Sequence, residues 1–188
     1  RIANVDLPAT DCWLWGQGKR PRLTHFSEKY AWGRGAMSTA VELLRGIGRS
    51  AGWDVLDVVG ATGYVDTNFS GKGACAATAL DEYDIVVVHI EAPDESGHEG
   101  SVEKKVRSLE DIYSQTLPPI VEKLRKYDDW RLLISPDHPT PVSIKTHSHG
   151  YVPWLITGSN VSGTGAHYDE ASSEQEKLFF RAGHLLMK

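Results

Sequence analysis

The sequence predicts an α/β fold, with a mainly parallel sheet flanked by helices. Three observations carry that expectation. Strand-length apolar segments alternate with segments of helical periodicity along the chain. The clearest strand, Tyr83 to Ile90, is a continuous β-branched run, the pattern of a strand covered on both faces. The 188 residues, 40% hydrophobic and 24% charged, have globular composition, enough for one core and a poor fit to two. A single domain over residues 1–188 is therefore expected.

The elements follow in order. Asp11 to Gly16, DCWLWG, reads as a short aromatic strand. Gln17 to Arg34 is basic and turn-rich, and reads as loop. Val41, Leu44, Ile47 and Ala51 recur at helical spacing, which predicts a helix over about Ser38 to Ala51, capped by Ser38 or Thr39 and ended by Gly52. Trp53 to Val59 reads as a strand and Gly60 to Asn68 as a glycine-bearing turn. An alanine-rich helix follows over about Lys72 to Glu82, then the strand Tyr83 to Ile90. Val102 to Lys126 reads as one long helix that Pro118 and Pro119 divide. Trp130 to Ser135 and Val152 to Thr157 read as strands. Ser172 to Met187 reads as a closing helix with Leu178, Phe179, Leu185 and Leu186 on its apolar face.

Composition narrows the function. The net charge is −5, from 20 Lys+Arg against 25 Asp+Glu, so a nucleic-acid partner is not expected. No apolar run approaches the ~18 residues of a membrane span, and no membrane partner is expected. Cys12 and Cys75 form no CxxC motif and read as small core residues in a reducing compartment, which points to a cytoplasmic location. Position 1 is Arg and no signal-peptide pattern follows, so the chain reads as a piece of something longer.

The chemistry concentrates after two consecutive buried strands, where α/β sheets bind ligands. HIEAPDESGHEG, His89 to Gly100, brings His89, Glu91, Asp94, Glu95, His98 and Glu99 together. Asp94 and His98 are four residues apart around a turn with Gly97, a spacing at which carboxylate and imidazole reach one cation. SPDHPTP, Ser135 to Pro141, supplies Asp137 and His138. Adjacent side chains leave an extended backbone in opposite directions, so these two share one metal only if the chain turns there. KTHSHG, Lys145 to Gly150, adds His147 and His149. Mixed oxygen and imidazole donors suit Mn²⁺, Zn²⁺, Fe²⁺ or Co²⁺ better than Ca²⁺. A two-metal centre clamps both oxygens of an in-line phosphoryl displacement. His25, His167 and His184 lack such company and read as surface or structural residues.

Other segments read as structure. Gly60 to Asn68 lacks the lysine and hydroxyl of a phosphate loop. GIGRSAG, Gly46 to Gly52, does not directly follow a strand, which argues against a dinucleotide site. Glu103 to Arg107 reads as a solvated helix face. Trp13, Trp15 and Trp32 mark a buried face or a subunit contact.

In WLWGQGKRP, GATGYVDTN, VVVHIEAPDESGHEG and LLISPDHPTPVSIKTHSHGYVPWLI, the sequence resembles the archaeal-type branch of cofactor-independent (2,3-bisphosphoglycerate-independent) phosphoglycerate mutases, in the alkaline phosphatase superfamily. Some bacterial members of that branch carry the homoserine kinase label. The resemblance implies a partial alkaline phosphatase-like core. It implies a glycolytic isomerase that interconverts 3-phosphoglycerate and 2-phosphoglycerate through a phosphoserine. It implies two divalent ions among Mn, Zn, Co or Mg. Residue by residue, Asp94, His98 and His147 match one metal site, and Asp137 and His138 match part of a second. Lys29, in SEKY, matches a lysine that touches the phosphate.

The sequence departs from the family pattern at its start. The Asp-Gly strand, the nucleophilic serine and the substrate-binding insert have no counterpart here. The resemblance therefore implies a carboxyl-terminal portion that is inactive alone, holds at most one metal strongly, and loses it as pH falls through the histidine range. An apolar surface normally covered by the missing portion, and self-association through it, are expected as well. Two alternatives stay open: a stand-alone metal-dependent phosphatase using metal-bound water, and a non-catalytic remnant that binds metal or a partner.

Overall fold

The computed structural model describes residues 11–180 except Cys12, Trp15, Arg20, Thr164, Ala166 and Lys177. A short helix α1 (Phe26–Tyr30) leads into β1 (Gly35–Ser38), α2 (Glu42–Ser50), β2 (Asp54–Leu56), α3 (Phe69–Ala79) and β3 (Ile85–Val88). The three strands form a parallel sheet in the order β2-β1-β3. In the register, Ala36 lies beside both Asp54 and Val86, and Ser38 beside both Leu56 and Val88.

The central strand is a correction to the sequence reading, which extended a helix back to Ser38. GAMS carries no β-branched residue, yet pairing on both edges makes it a strand, with Ala36 and Ser38 buried. Tertiary pairing overrides weak strand propensity here. Thr39 does not cap the helix. It sits ahead of it, where its Oγ1 accepts from the Val41 N–H at 3.1 Å.

The expected turn after β3 is instead a helix, α4 (Ala92–Glu99). Pro93 stands in its first turn, Asp94 and Glu95 complement the dipole there, and Gly100 ends it at φ +75°. The predicted long helix is three pieces: α5 (Val102–Asp111), a π-helical turn (Ile112–Thr116) and α6 (Leu117–Leu124). Pro118 and Pro119 fall in the first turn of α6. Their rings and missing N–H groups conflict with the preceding carbonyls, and the π turn accommodates the conflict.

A second ladder pairs β4 (Arg131–Ile134) antiparallel with β5 (Leu155–Gly158). The alternation had suggested one mainly parallel sheet. The same core nevertheless joins the layers: Ala76, Ile120 and Leu124 pack with Val86 and Val88 of β3 and Leu132 of β4. The last helix among the described residues is α7 (Glu170–Glu176), and Leu178, Phe179 and Phe180, expected in the same helix, are not helical. Phe179 and Phe180 lie beyond it and pack on Tyr151 and Trp154, with centroids 4.8 and 5.4 Å apart. His184, Leu185 and Leu186 lie outside the described residues, as do Cys12 and Trp15.

The predicted Asp11–Gly16 strand is not found among its described residues, where Trp13 and Leu14 are 88% and 85% exposed. Among the described residues, no helix is long and apolar enough to cross a membrane. Val102, Val106 and Leu109 on α5, and Tyr113 beyond it, form an exposed apolar stripe.

Candidate metal centre

Asp94 and His98 lie one helical turn apart on α4, which places both on one face. The loop after β4 turns back across that face and delivers His147. His98 Nε2 lies 3.3 Å from Asp94 Oδ2 and 3.0 Å from His147 Nε2, and His147 Nε2 lies 3.5 Å from Asp94 Oδ1. Asp94 and His98 are half-buried and His147 is exposed, so the group opens to solvent.

This donor set fits a divalent cation. Ligand bonds of about 2.0–2.1 Å in a tetrahedral arrangement separate donor atoms by about 3.3 Å, close to the three spacings above. Two imidazole nitrogens this near repel unless a proton or cation lies between them. His98 Nδ1 lies 3.1 Å from the Lys145 carbonyl oxygen. A carbonyl only accepts, so Nδ1 carries the proton and Nε2 presents its lone pair to the cluster. Lys145 adopts φ +54°, and that left-handed turn aims its carbonyl.

Asp137 and His138 also arrive here, because Pro136 and Pro139 bend the chain past β4. The His138 ring lies 3.8 Å, centroid to centroid, from that of His147. Asp137 Oδ2 lies 3.4 Å from His138 Nε2, with the Asp137 side chain largely exposed. The bend removes the expected obstacle to adjacent residues facing one ion.

The neighbouring groups set the local field. Burial pushes the Glu91 carboxyl above its ordinary range, and Asp94, Glu95 and Asp137 push it further. His89 hydrogen-bonds Thr39 Oγ1 through Nδ1 at 3.0 Å and pairs with Glu91 at 3.2 Å. Burial, then the Lys72 charge, hold His89 below the ordinary imidazole range. Lys72, 0% exposed, donates to the His89 carbonyl at 3.0 Å.

Some predicted residues stand apart. Lys29 lies exposed in the last turn of α1, with Nζ 5.3 Å from the Tyr30 ring. That helix docks through Phe26 on Ala51 and Trp53, at the amino end of β2 and away from the Asp/His group. The structure does not bring Lys29 to the cluster. His149 is exposed and outside the close contacts. Sequence reasoning missed Thr39, Lys72 and Thr140, all buried and bonded into the cluster or its support. Thr140 was visible within SPDHPTP, whereas Lys72 sat in an ordinary alanine-rich helix.

A parallel sheet with carboxylates and imidazoles gathered past its carboxyl edge is the architecture of an α/β metalloenzyme. The family model described as Metalloenzyme superfamily matches residues 1–188. The chain belongs to the metalloenzyme superfamily.

The 2,3-bisphosphoglycerate-independent phosphoglycerate mutase of Methanosarcina barkeri is 45% identical over 181 residues, 95% of this chain and 45% of that protein. The solved PH0037 protein from Pyrococcus horikoshii superposes with a TM-score of 0.70 at 28% identity, over 80% of this chain and 39% of that one. The cofactor-independent phosphoglycerate mutase from Thermoplasma acidophilum superposes at 0.59 over 85% of this chain and 36% of that one. At 23% identity it speaks to the alkaline phosphatase-like fold alone. The chain spans less than half the length of these proteins.

Proposed function

We propose that this chain is the metal-holding portion of a phosphoglycerate mutase that interconverts 2-phosphoglycerate and 3-phosphoglycerate. The observation that carries this reading is the Asp94, His98 and His147 donor group, with spacings of 3.0 to 3.5 Å. The name of the Methanosarcina barkeri relative supplies the substrate class. Asp94, His98 and His147 hold one divalent ion, and Asp137 and His138 contribute to a second. Carboxylate–imidazole donors favour Mn²⁺, Zn²⁺ or Co²⁺ over Mg²⁺. When bound, the two ions neutralise and orient the transferring phosphoryl group.

The residues of this chain do the holding. The α4 backbone sets Asp94 and His98 one turn apart, and the Lys145 carbonyl keeps the His98 lone pair turned inward. The acidic surround of Glu91, Glu95 and Asp137 raises the local affinity for cations. On this reading the phosphoserine is not one of the serines of this chain. The 188 residues alone then bind metal and turn over no phosphoglycerate.

The test is an assay of 3-phosphoglycerate conversion by a protein containing this sequence at the full length of its relatives, with Mn²⁺ supplied. Conversion that disappears in Asp94→Asn and His147→Ala supports the reading. Full activity in both variants overturns it.

A further inference from the structure

We propose that Thr140 is a positioning residue that couples the two parts of the metal centre, holding His138 in its Nδ1–H form while it orients the Asp94 carboxylate. Thr140 is 4% exposed, and its Oγ1 touches both groups. It hydrogen-bonds Asp94 Oδ1 and lies 3.2 Å from His138 Nδ1. Direct contact between the two is too long for a hydrogen bond, at 4.0 Å from His138 Nδ1 to Asp94 Oδ1.

A proton count assigns the roles. A threonine hydroxyl has one proton to donate, and an ionised carboxylate only accepts. The Thr140 proton therefore goes to Asp94. Toward His138 the hydroxyl oxygen can only accept, so His138 must present Nδ1–H. In the neutral imidazole its Nε2 is then unprotonated and free to bind a cation beside Asp137, whose Oδ2 lies 3.4 Å away. Without the hydroxyl, His138 is free to protonate Nε2 instead and donate to Asp137, which closes the second site.

The backbone of Thr140 is held from two further sides. Lys105 Nζ donates to the Thr140 carbonyl at 2.6 Å. Gly97 of α4 lies directly against the same residue: a Cβ there would stand 2.5 Å from the Thr140 carbonyl oxygen. Helix α4 and the SPDHPT loop are thus clamped where the hydroxyl sits.

The consequence for cation affinity rests on the metal-centre reading above, whereas the tautomer of His138 does not. The test therefore has two arms on this chain. In the metal-free chain, long-range ¹H–¹⁵N correlation above the ordinary imidazole range reads the proton position on His138. The expected result is Nδ1–H in the natural chain and in Thr140→Ser, with that preference lost in Thr140→Val. In the second arm, calorimetric titration with Zn²⁺ should show Thr140→Val about 10–100-fold weaker, as for other groups that orient a metal ligand, and Thr140→Ser close to the natural chain.

His138 protonated at Nε2 in the natural chain overturns the proposal, even if the valine variant does not fold. So does a folded Thr140→Val that keeps Nδ1–H or the natural Zn²⁺ affinity. Absence of any Zn²⁺ binding by the natural chain sinks the metal-centre reading, and the tautomer arm then decides the role of Thr140 by itself.

Discussion

The Nε2 atoms of His98 and His147 stand 3.0 Å apart although 49 residues separate them in sequence. Helix α4 carries one and the loop beyond β4 the other, and Asp94 faces both. Nitrogens this close share either a proton or a cation, and with Asp94 facing both the group suits a divalent ion. A ligand that binds only the folded state stabilises it, by about 2.7 kcal/mol at 100 times its dissociation constant. Zn²⁺ should therefore raise the thermal midpoint of this chain, and the rise should vanish in His147→Ala and Asp94→Asn. Scanning calorimetry with and without metal checks it. An equal rise in all three chains would place the metal elsewhere.

Much of this arrangement was legible in the sequence. The Ile85–Val88 run announced its strand, and the Asp/His pairs after two consecutive apolar strands announced a shared edge, although β4 alternates between exposed and half-buried residues. Helix α4 was legible too but read as a turn, although Pro93, Asp94, Glu95 and Gly100 are ordinary helix boundary signals. The strand Gly35–Ser38 was not legible, because GAMS becomes a strand only through two long-range neighbours. Thr140 stands inside the SPDHPTP motif, but nothing local marks its hydroxyl as the bridge between residues of two elements.

Gly97 shows why α4 must approach the SPDHPT loop so closely. A methyl group at that position meets the Thr140 carbonyl at 2.5 Å and its Cγ2 at 2.8 Å. The first obstacle is backbone, which cannot rotate away. Gly97→Ala should destabilise the chain by about 1–3 kcal/mol, the usual range for overpacking, despite alanine's better helix propensity. It should weaken Zn²⁺ binding as well, because the shift moves Asp94 and His98 off His147. Urea denaturation and metal titration read the two effects, and a variant as stable as the natural chain contradicts the close contact.

Lys29 offers a contrasting case. It is exposed on α1, whose contacts run to Ala51 and Trp53 at the amino end of β2. Lys29→Ala should leave Zn²⁺ affinity unchanged and alter stability by no more than about 0.5 kcal/mol, as expected for a surface position. A tenfold loss of metal affinity would show that α1 reaches the cluster in solution.

Lys72 makes the pH prediction. It is fully buried, and its ammonium donates to the His89 carbonyl at 3.0 Å. Burial lowers its pKa, and the nearby Glu91 charge only partly restores it. Between the depressed folded value and the ordinary lysine value of about 10.4, the unfolded chain holds this proton more tightly than the folded chain. Stability contributed by this site therefore rises with pH across that window, and the cost of burying the charge is fully present below it. Lys72→Met keeps the length of the side chain and removes the proton. The natural chain should gain stability relative to this variant between neutral pH and about pH 10. Paired denaturant titrations at the two pH values measure the difference, with the titration of His89, on which the Lys72 charge also acts, followed by NMR in both chains. A difference that stays constant, or moves toward the variant as pH rises, would show that Lys72 keeps its ordinary proton affinity in the folded chain.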